Sequence, residues 1–364
     1  MAKQYTKRNN AVIASQDTSS AWSYANQSLK LYKIGQSFNY SVTFPNQSPK
    51  QVGSQGVSFE EIFSQPDVNL TVSYIPEPNF SNEVRGRFID TTSNWTSEFK
   101  NMFNTTDATN IYIFVGDDQA GDFLDNIEFY SSLNLNGDSA LAFGNCYPTS
   151  YSLSYGVGSL PTVSTSYICS NMVFDQLTGT HMEMPAINLT GGNNDGVGLC
   201  DFTFAIDLTS TTLEKKPVVV NPTDSNSSVT LENLQVGGQN LSGIHYIQSV
   251  DMSVNLPRVS SYGLGNDYAY DRKAQFPAEG SFDVSSLVSG MQSGAITGVL
   301  NNSEDYSFQL ILASGSTKMI YEIEGAKLSS VNYGMSINGL MNFDASFTFK
   351  VTETEGLRLS GTYY

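Results

Sequence analysis

The sequence predicts a mostly β protein made of two tandem copies of one β-barrel or β-sandwich domain, each with about one short helix. Three observations support this prediction: a strand-like composition, a strand that recurs later in the chain, and a hairpin that also recurs. The 364 residues are 40% hydrophobic and only 15% charged, and they include 20 Tyr and 21 Phe. Aromatic and β-branched side chains favour strands, and a chain of this length can fill two cores.

The first repeat is a strand. Residues 36–45 read QSFNYSVTFP and residues 248–257 read QSVDMSVNLP, an offset of 212 in residue number, with Gln, Ser, Ser, Val and Pro identical in position. The alternate positions between them hold apolar residues in both stretches, which is the period-2 pattern of a half-buried strand. A third stretch, around Leu70 and Val72, matches the region of Phe282 and Val284 at the same offset.

The second repeat is a hairpin. Residues 146–170 align without a gap to residues 326–350, an offset of 180, and both predict a strand, a short turn containing Gly or Asn, and a second strand. Because the offset falls from 212 to 180, the first copy contains 32 more residues than the second, placed between about Tyr74 and Leu141. Three collinear matches favour tandem duplication over chance similarity between strands.

These matches divide the chain into four parts. Residues 1–35 are an N-terminal arm, 36–170 the first copy, 171–247 a spacer that contains strands of its own, and 248–364 the second copy. Asn, Pro, Asp and Ser residues near the middle of the spacer are typical of turns and linkers.

Helix signals are few. Residues 91–104 place apolar side chains at helical spacing after a possible Ser or Asn cap, so one short helix is expected there. The corresponding stretch of the second copy, 285–301, has similar spacing weakened by two glycines. Since there is no run of about 18 apolar residues, no membrane span is expected.

The composition argues against several functions. The net charge of −17 disfavours affinity for a nucleic-acid backbone, because phosphate contacts require Lys and Arg. The same charge could line a surface that nucleic acid passes without binding, or could serve solubility alone. With two His in the chain, a Ser-His-Asp triad or structural zinc has little support. We expect no catalytic residues, cofactor or metal, and Cys146 and Cys169 are interpreted as buried free thiols.

One acidic cluster stands out between two predicted strands. It contains Asp117, Asp118, Asp122 and Asp125, with no basic residue among them. Clustered carboxylates can bind a hard cation, but the spacing fits no EF-hand loop and the second copy has no matching cluster. An exposed acidic loop is therefore the favoured interpretation.

Residues 248–288 and 319–351 resemble phage tail tube proteins and related virion structural proteins, and residues 144–172 resemble the same closing hairpin. The shared feature is a pair of strands with the lead GAKLSSV at 325–331, followed by a strand of alternating Phe and Ser. The resemblance implies small β domains with one flanking helix, which polymerise as stacked rings around a DNA channel.

From the resemblance and the duplication we expect a tail tube subunit located in the virion tail and made in the host bacterial cytoplasm. Six ring positions would be filled by three chains, giving trimeric, pseudo-hexameric rings. Its partners would be further copies of itself, other tail proteins, and viral DNA that passes without specific binding. The acidic cluster would lie in the lumen or between rings. Alternatives are a distal tail or hub protein, a capsid decoration protein, a host-binding adhesin, or an enzyme on a β-rich scaffold.

Overall fold

The computed structural model of the chain describes residues 10–17, 30–32, 35–44, 46–47, 61–62, 67–78, 80–89, 99–103, 108–116, 139–176, 181–184, 198–201, 227–232, 235–236, 239–240, 246–261, 271–288, 305–314, 317–335 and 341–361. Most of them lie in antiparallel strands, so the mostly β prediction is confirmed.

The elements up to residue 201 are, in chain order, β1 (Asn10–Asp17), β2 (Lys30–Leu31), β3 (Gly35–Thr43), β4 (Asn46–Gln47), β5 (Glu61–Ile62), β6 (Asp67–Tyr74), α1 (Ser81–Arg85), β7 (Lys100–Asn101), β8 (Thr109–Gly116), β9 (Ser139–Gly156), β10 (Thr162–Cys169), β11 (Asn171–Gln176), β12 (His181–Met184) and β13 (Gly198–Asp201). After residue 201 they are β14 (Ser228–Glu232), β15 (Gln235–Val236), β16 (Gln239–Asn240), β17 (Tyr246–Asn255), β18 (Arg258–Ser261), β19 (Asp271–Ala274), β20 (Ala278–Val288), β21 (Tyr306–Ser314), β22 (Thr317–Met335), β23 (Met341–Val351) and β24 (Leu357–Gly361).

Two similar sandwiches account for most of these strands. In the first half, which we define as β1 to β11, one sheet has the order β3-β6-β10-β9 and the other pairs β1 with β8, β8 with β9, and β9 with β11. In the second half, β14 to β24, the order is β17-β20-β23-β22, and β14 pairs with β21, β21 with β22, and β22 with β24. Corresponding strands therefore have the same order and direction.

The two sheets of each half pack through aromatic side chains. In the second half the ring of Phe308 lies 5.0 Å from that of Phe282 and 4.5 Å from that of Phe347, which come from the opposite sheet. In the first half Tyr40 of β3 packs on Phe143, 5.7 Å away between ring centroids. Burying such rings is a large apolar contribution to the core. The long strands β9 and β22 belong to both sheets of their halves, which holds each sandwich together.

Irregularities of the ladders fall at corresponding places in both halves. Gln36 is an extra residue in the pairing of β3 with β6, and Gln248, its counterpart in the strand repeat, is extra in the pairing of β17 with β20. Thr149 is extra in β9 against β10, and Ser329, its counterpart in the hairpin repeat, is extra in β22 against β23. A third register shift occurs between β8 and β9 and again between β21 and β22. Proteins that share a fold keep their bulges at the same places. The agreement of the bulges therefore supports the duplication separately from the sequence match.

The first half contains one short described helix, as expected, but the predicted helix positions are wrong where they can be checked. The described helix of the first half is α1, which precedes the expected stretch, and Lys100–Asn101 near the end of that stretch form β7. Residues 285–288 belong to β20, and the rest of the expected second helix lies outside the described residues.

The predicted domain boundaries leave out three strands. β1, β11 and β14 lie in the predicted arm and spacer, yet each pairs with a strand inside one of the predicted copies. The boundaries themselves stay a prediction.

Candidate assembly surface

The two halves are joined edge to edge by the pairing of β9 with β17, which we call the inner joint. Met252 pairs with Leu153 and Val254 with Tyr151, and all four side chains are buried. Leu256 N donates to Thr149 O at 2.7 Å, and Val157 N donates to Gln248 O at 2.8 Å. The inner joint therefore makes one continuous antiparallel run of eight strands, β3-β6-β10-β9-β17-β20-β23-β22.

Arginines from the β18–β19 hairpin reinforce the inner joint. Arg258 of the second half donates from Nε to the carbonyl of Pro148 at 2.7 Å and lies 5.2 Å from the ring centre of Tyr147. Arg272, which is 2% exposed, lies within 3.4 Å of the carbonyl of Cys169. We call Arg258 and Arg272 the arginine clamp. Hydrogen bonds from charged donors are stronger than neutral ones, so the arginine clamp favours one arrangement of the halves.

Part of the extra length of the first copy packs on the second half. The rings of Phe80 and Tyr321 are 5.4 Å apart, and β7 pairs with β24 of the second half. Met102 N also donates to Leu357 O at 3.0 Å. The extra residues thus add a second contact between the halves, on the sheet that does not contain the inner joint.

A buried carboxyl lies at this second contact. Tyr151 OH is 3.2 Å from Glu83 Oε1 and 2.8 Å from Tyr321 OH, and all three side chains are fully buried. Burial raises the pKa of Glu83 to about 7, because a carboxylate loses its hydration there and only partly regains it through hydrogen bonds. Within the described part of the chain, Glu83 Oε2 and Tyr74 OH have no hydrogen-bond partner.

The eight-stranded run ends in two edges, which we call the free edges. One is β3 and the other is the Lys327–Met335 part of β22, and among the described residues each of them pairs with one strand only. Sheet edges present unpaired backbone groups that invite another strand.

Apolar side chains at the β3 edge are much more exposed than their counterparts at the inner joint. Tyr40 is 40% exposed and Phe44 59%, whereas Met252 and Leu256, their counterparts in the strand repeat, are 1% and 0% exposed. With about 200 Å² per aromatic side chain, the exposed part of the two rings amounts to about 200 Å². Covering it would contribute at most about 5 kcal/mol.

The face of the run that points away from the core is polar, and we call it the polar face. Its hydroxyl side chains bond across strands, with 2.9 Å between Ser253 Oγ and Ser281 Oγ and 3.2 Å between Thr71 Oγ1 and Ser166 Oγ. The side chains on this face include Asn39, Ser41, Asp67, Asn69, Thr71, Ser73, Ser150, Ser152, Ser154, Ser164, Ser166, Asp251, Ser253, Asn255, Glu279, Ser281, Asp283, Ser285, Lys327, Asn332, Asp344, Ser346 and Lys350.

Acidic residues on the polar face are concentrated in the second half. Asp251 and Asp283 are directly opposite each other in the pairing of β17 with β20, and Asp344 lies close by on the next strand, opposite Ser285. Like charges directly opposite destabilise a sheet. The fold does not require them, since the corresponding pair in the first half is Asn39 and Thr71.

The structure gives no test of the predicted acidic cluster. Asp117, Asp118, Asp122 and Asp125 lie outside the described residues, immediately after the end of β8, so an acidic loop there stays a prediction. Asp251 and Asp283 were not among the residues predicted from the sequence. The alternation of Ser and Asp with apolar residues in both strands is the signal that would place them on the polar face.

Cys146 and Cys169 are buried and free, as interpreted from the sequence, with their sulfurs 3.0 Å apart. Burial and the neighbouring thiol raise the pKa of Cys146. In the described ranges, His, Cys, Asp and Glu side chains do not gather in a group of three that could hold a metal ion. A helix with the length and apolarity to cross a membrane is also absent from these ranges.

Comparisons with known proteins find a similarity to a solved virion structure. No protein-family model matches the chain, and no curated protein matches it. Among solved structures, a chain from the virion of a native gene transfer agent particle is similar over 38% of this chain and 98% of its own length, with 13% identity and a TM-score of 0.23. Similarity at this level does not assign a family.

Proposed function

We propose that this protein is a structural subunit of a bacteriophage tail tube, and that it assembles into stacked rings around a channel for DNA. The inner joint is the observation that carries the proposal. It joins two sheets of identical strand order and leaves on each side an edge that corresponds to one of its own strands. A module that already pairs with its own kind inside one chain can do so between chains.

Tandem duplication of one sandwich explains the arrangement. The corresponding strand orders and bulges support it together with the sequence matches. A repeated head-to-tail contact either closes into a ring or continues as a helical filament. In the proposed tube it closes, and each chain supplies two of the six sheets.

The number of chains follows from strand spacing. At about 4.8 Å between strands, three chains of eight strands give a backbone diameter of about 37 Å, and two chains give about 24 Å, before strand tilt is counted. Side chains on the inner face narrow each channel by about 10 Å in total. Only the wider channel admits a DNA duplex, which supports three chains per ring over two.

The polar face would line the channel. It is rich in short hydroxyl and amide side chains. Its second half carries Asp251, Asp283 and Asp344 near the middle of the strands, and Glu279, Lys327 and Lys350 towards one end. Carboxylates repel phosphates within a Debye length of about 8–10 Å, so DNA would pass without binding. This role would explain why the sheet keeps two aspartates opposite each other although their repulsion destabilises it. The function requires no catalysis, cofactor or metal.

Electron microscopy of the purified full chain tests the proposal. At neutral pH and without any ligand, the protein should form rings with threefold symmetry and hollow tubes of stacked rings. A protein that stays monomeric at micromolar concentrations would contradict the proposal. Discrete particles that bind host cells would favour the adhesin alternative, and discrete particles that bind assembled tails or capsids would favour a hub or decoration protein.

A further inference from the structure

We infer that the joint between chains pairs β3 of one copy with the Lys327–Met335 part of β22 of a second copy, antiparallel, with Val42 opposite Val331. This inference rests on the proposed function and deepens it, since it names the partner edge and the register. β3 corresponds to β17 and the end of β22 to the end of β9, which are the two strands of the inner joint. Joining the free edges repeats that joint.

The register follows from the offsets of the two repeats. At the inner joint Val254 pairs with Tyr151 and Ser253 with Ser152. Subtracting 212 from the β17 number and adding 180 to the β9 number gives Val42 opposite Val331 and Ser41 opposite Asn332. Thr43 likewise falls opposite Ser330. Since side chains alternate between faces, this register puts apolar residues on the core side of both strands.

The bulges make the register specific. At the inner joint the carbonyls of Thr149 and Gln248, both bulge residues, accept hydrogen bonds from the opposite strand. Ser329 is the bulge residue that corresponds to Thr149, so its carbonyl would accept from the N–H of Phe44. A shift by one residue would move this acceptor out of line and would set the core face of one chain on the same side as the polar face of the next.

Incomplete burial at both free edges supports the same contact. Phe38 and Val42 on one edge and Leu328 and Val331 on the other are only partly buried against the core. Their counterparts at the inner joint that the structure shows as fully buried include Val254 and Tyr151. The free edges thus have the side-chain pattern of the inner joint but lack the neighbouring strand that buries those side chains.

The joint between chains differs from the inner joint in its hairpin. Arg258 and Arg272 clamp the β18–β19 hairpin to the first half. The corresponding sequence positions of the first copy hold Asn46 and Glu60. On the first half, the β18–β19 hairpin lies beside Tyr147 and Cys169. The residues that correspond to them in the second half, Lys327 and Phe349, line an open groove.

Without the arginine clamp, the joint between chains is the weaker of the two. Rings should therefore separate into folded chains before the halves of a chain come apart. Denaturant titration followed both by light scattering and by tyrosine fluorescence should show two transitions, with loss of assembly first.

Disulfide trapping tests the register. At the inner joint, the residue pairs that exchange backbone hydrogen bonds are those whose side chains point to the core. Ser41 and Asn332 point away from the core, so in the joint between chains they would form a non-hydrogen-bonded pair. The Cα atoms of such a pair are about 4.5 Å apart, which is within disulfide range. Assembled Ser41→Cys/Asn332→Cys protein should form covalent multimers of the chain under mild oxidation. The control Asn39→Cys/Ser330→Cys lies on the same face but out of register by two positions on each strand, about 13 Å apart, and should stay monomeric on a non-reducing gel.

A second variant tests the edge itself. The N–H of Val42 would point to the neighbouring chain, as that of Val254 points to β9, so Val42→Pro removes an intermolecular donor without removing one from the sheet of its own chain. The circular dichroism spectrum of Val42→Pro should match that of the folded wild type. Electron microscopy should show monomers and no rings.

The outcomes separate the two proposals. If the wild type forms rings but cross-links appear only in the control variant Asn39→Cys/Ser330→Cys, or if Val42→Pro still forms rings, the joint is overturned and the proposed function is left standing. Wild-type protein that forms no rings overturns both. Multimers trapped through Ser41→Cys/Asn332→Cys, and absent from either single variant, support the joint and its register.

Discussion

Replacing Glu83 with Gln should remove a pH dependence from the stability of this protein. Glu83 is fully buried, and its pKa is about 7, raised from 4.5 by burial. Below pH 4.5 the carboxyl is protonated in both the folded and the unfolded chain. Between pH 4.5 and 7 the unfolded chain releases this proton first, so the folded chain binds more protons and the free energy of unfolding falls as the pH rises.

The two pKa values set the magnitude. They correspond to a loss of about 3 kcal/mol, complete above pH 7. Gln is uncharged throughout, so Glu83→Gln should match the wild type at low pH and exceed it by about 3 kcal/mol at pH 8. The difference between the variant and the wild type cancels the titration of other groups.

Denaturant unfolding at equal protein concentration and at half-unit steps from pH 3.5 to pH 9 measures this difference. Glu353→Gln is the matched control, because it makes the same chemical change at an exposed carboxyl. Parallel curves for Glu83→Gln and the wild type would show that the carboxyl is not desolvated as described, and a variant that loses stability as the pH rises would refute the sign.

Three further changes have defined outcomes. Arg258→Ala removes charged hydrogen bonds to the carbonyls of Pro148 and Arg272 and should lower the free energy of unfolding by about 3 kcal/mol, measured by denaturant unfolding, with Arg258→Lys in between. Phe347→Asp places a charge in the core beside Phe308 and should cost more than about 4 kcal/mol, leaving insoluble or unassembled protein; normal soluble assembly would refute the assignment of that face to the core. Tubes carrying Asp251→Lys and Asp283→Lys should retain DNA at low salt and release it at high salt in a gel-shift assay, and equal binding by wild-type tubes would contradict a repelling channel.

The strands of the sheets were predictable because their burial is encoded locally. Val250, Met252 and Val254 alternate with polar residues, and the structure buries all three. The hairpin prediction for residues 146–170 succeeded for the same reason, since β9 and β10 pair there around a turn. Period-2 alternation identifies a strand and its buried face wherever one face is solvated.

Partners of these strands were not predictable. The alternation in β17 is satisfied by any antiparallel neighbour, so nothing local indicates that β9 rather than a strand of its own half lies beside it. Arg272 looks like a surface residue in the sequence, and only the approach of the first half explains its burial. The misplaced helix has a similar cause, because Lys100–Asn101 take their conformation from pairing with β24, a strand near the opposite end of the sequence.

The inner joint restricts which symmetries a ring can adopt. Because every chain brings its two sandwiches already locked together, units can only be added in pairs, and rings of five or seven sandwiches are inaccessible. Around the rim, a sheet with Asp251 and Asp283 would alternate with one carrying Asn39 and Thr71. A protein that caps such a tube would therefore meet the same charge pattern at every second sandwich, and could dock with threefold symmetry on a ring of six sandwiches.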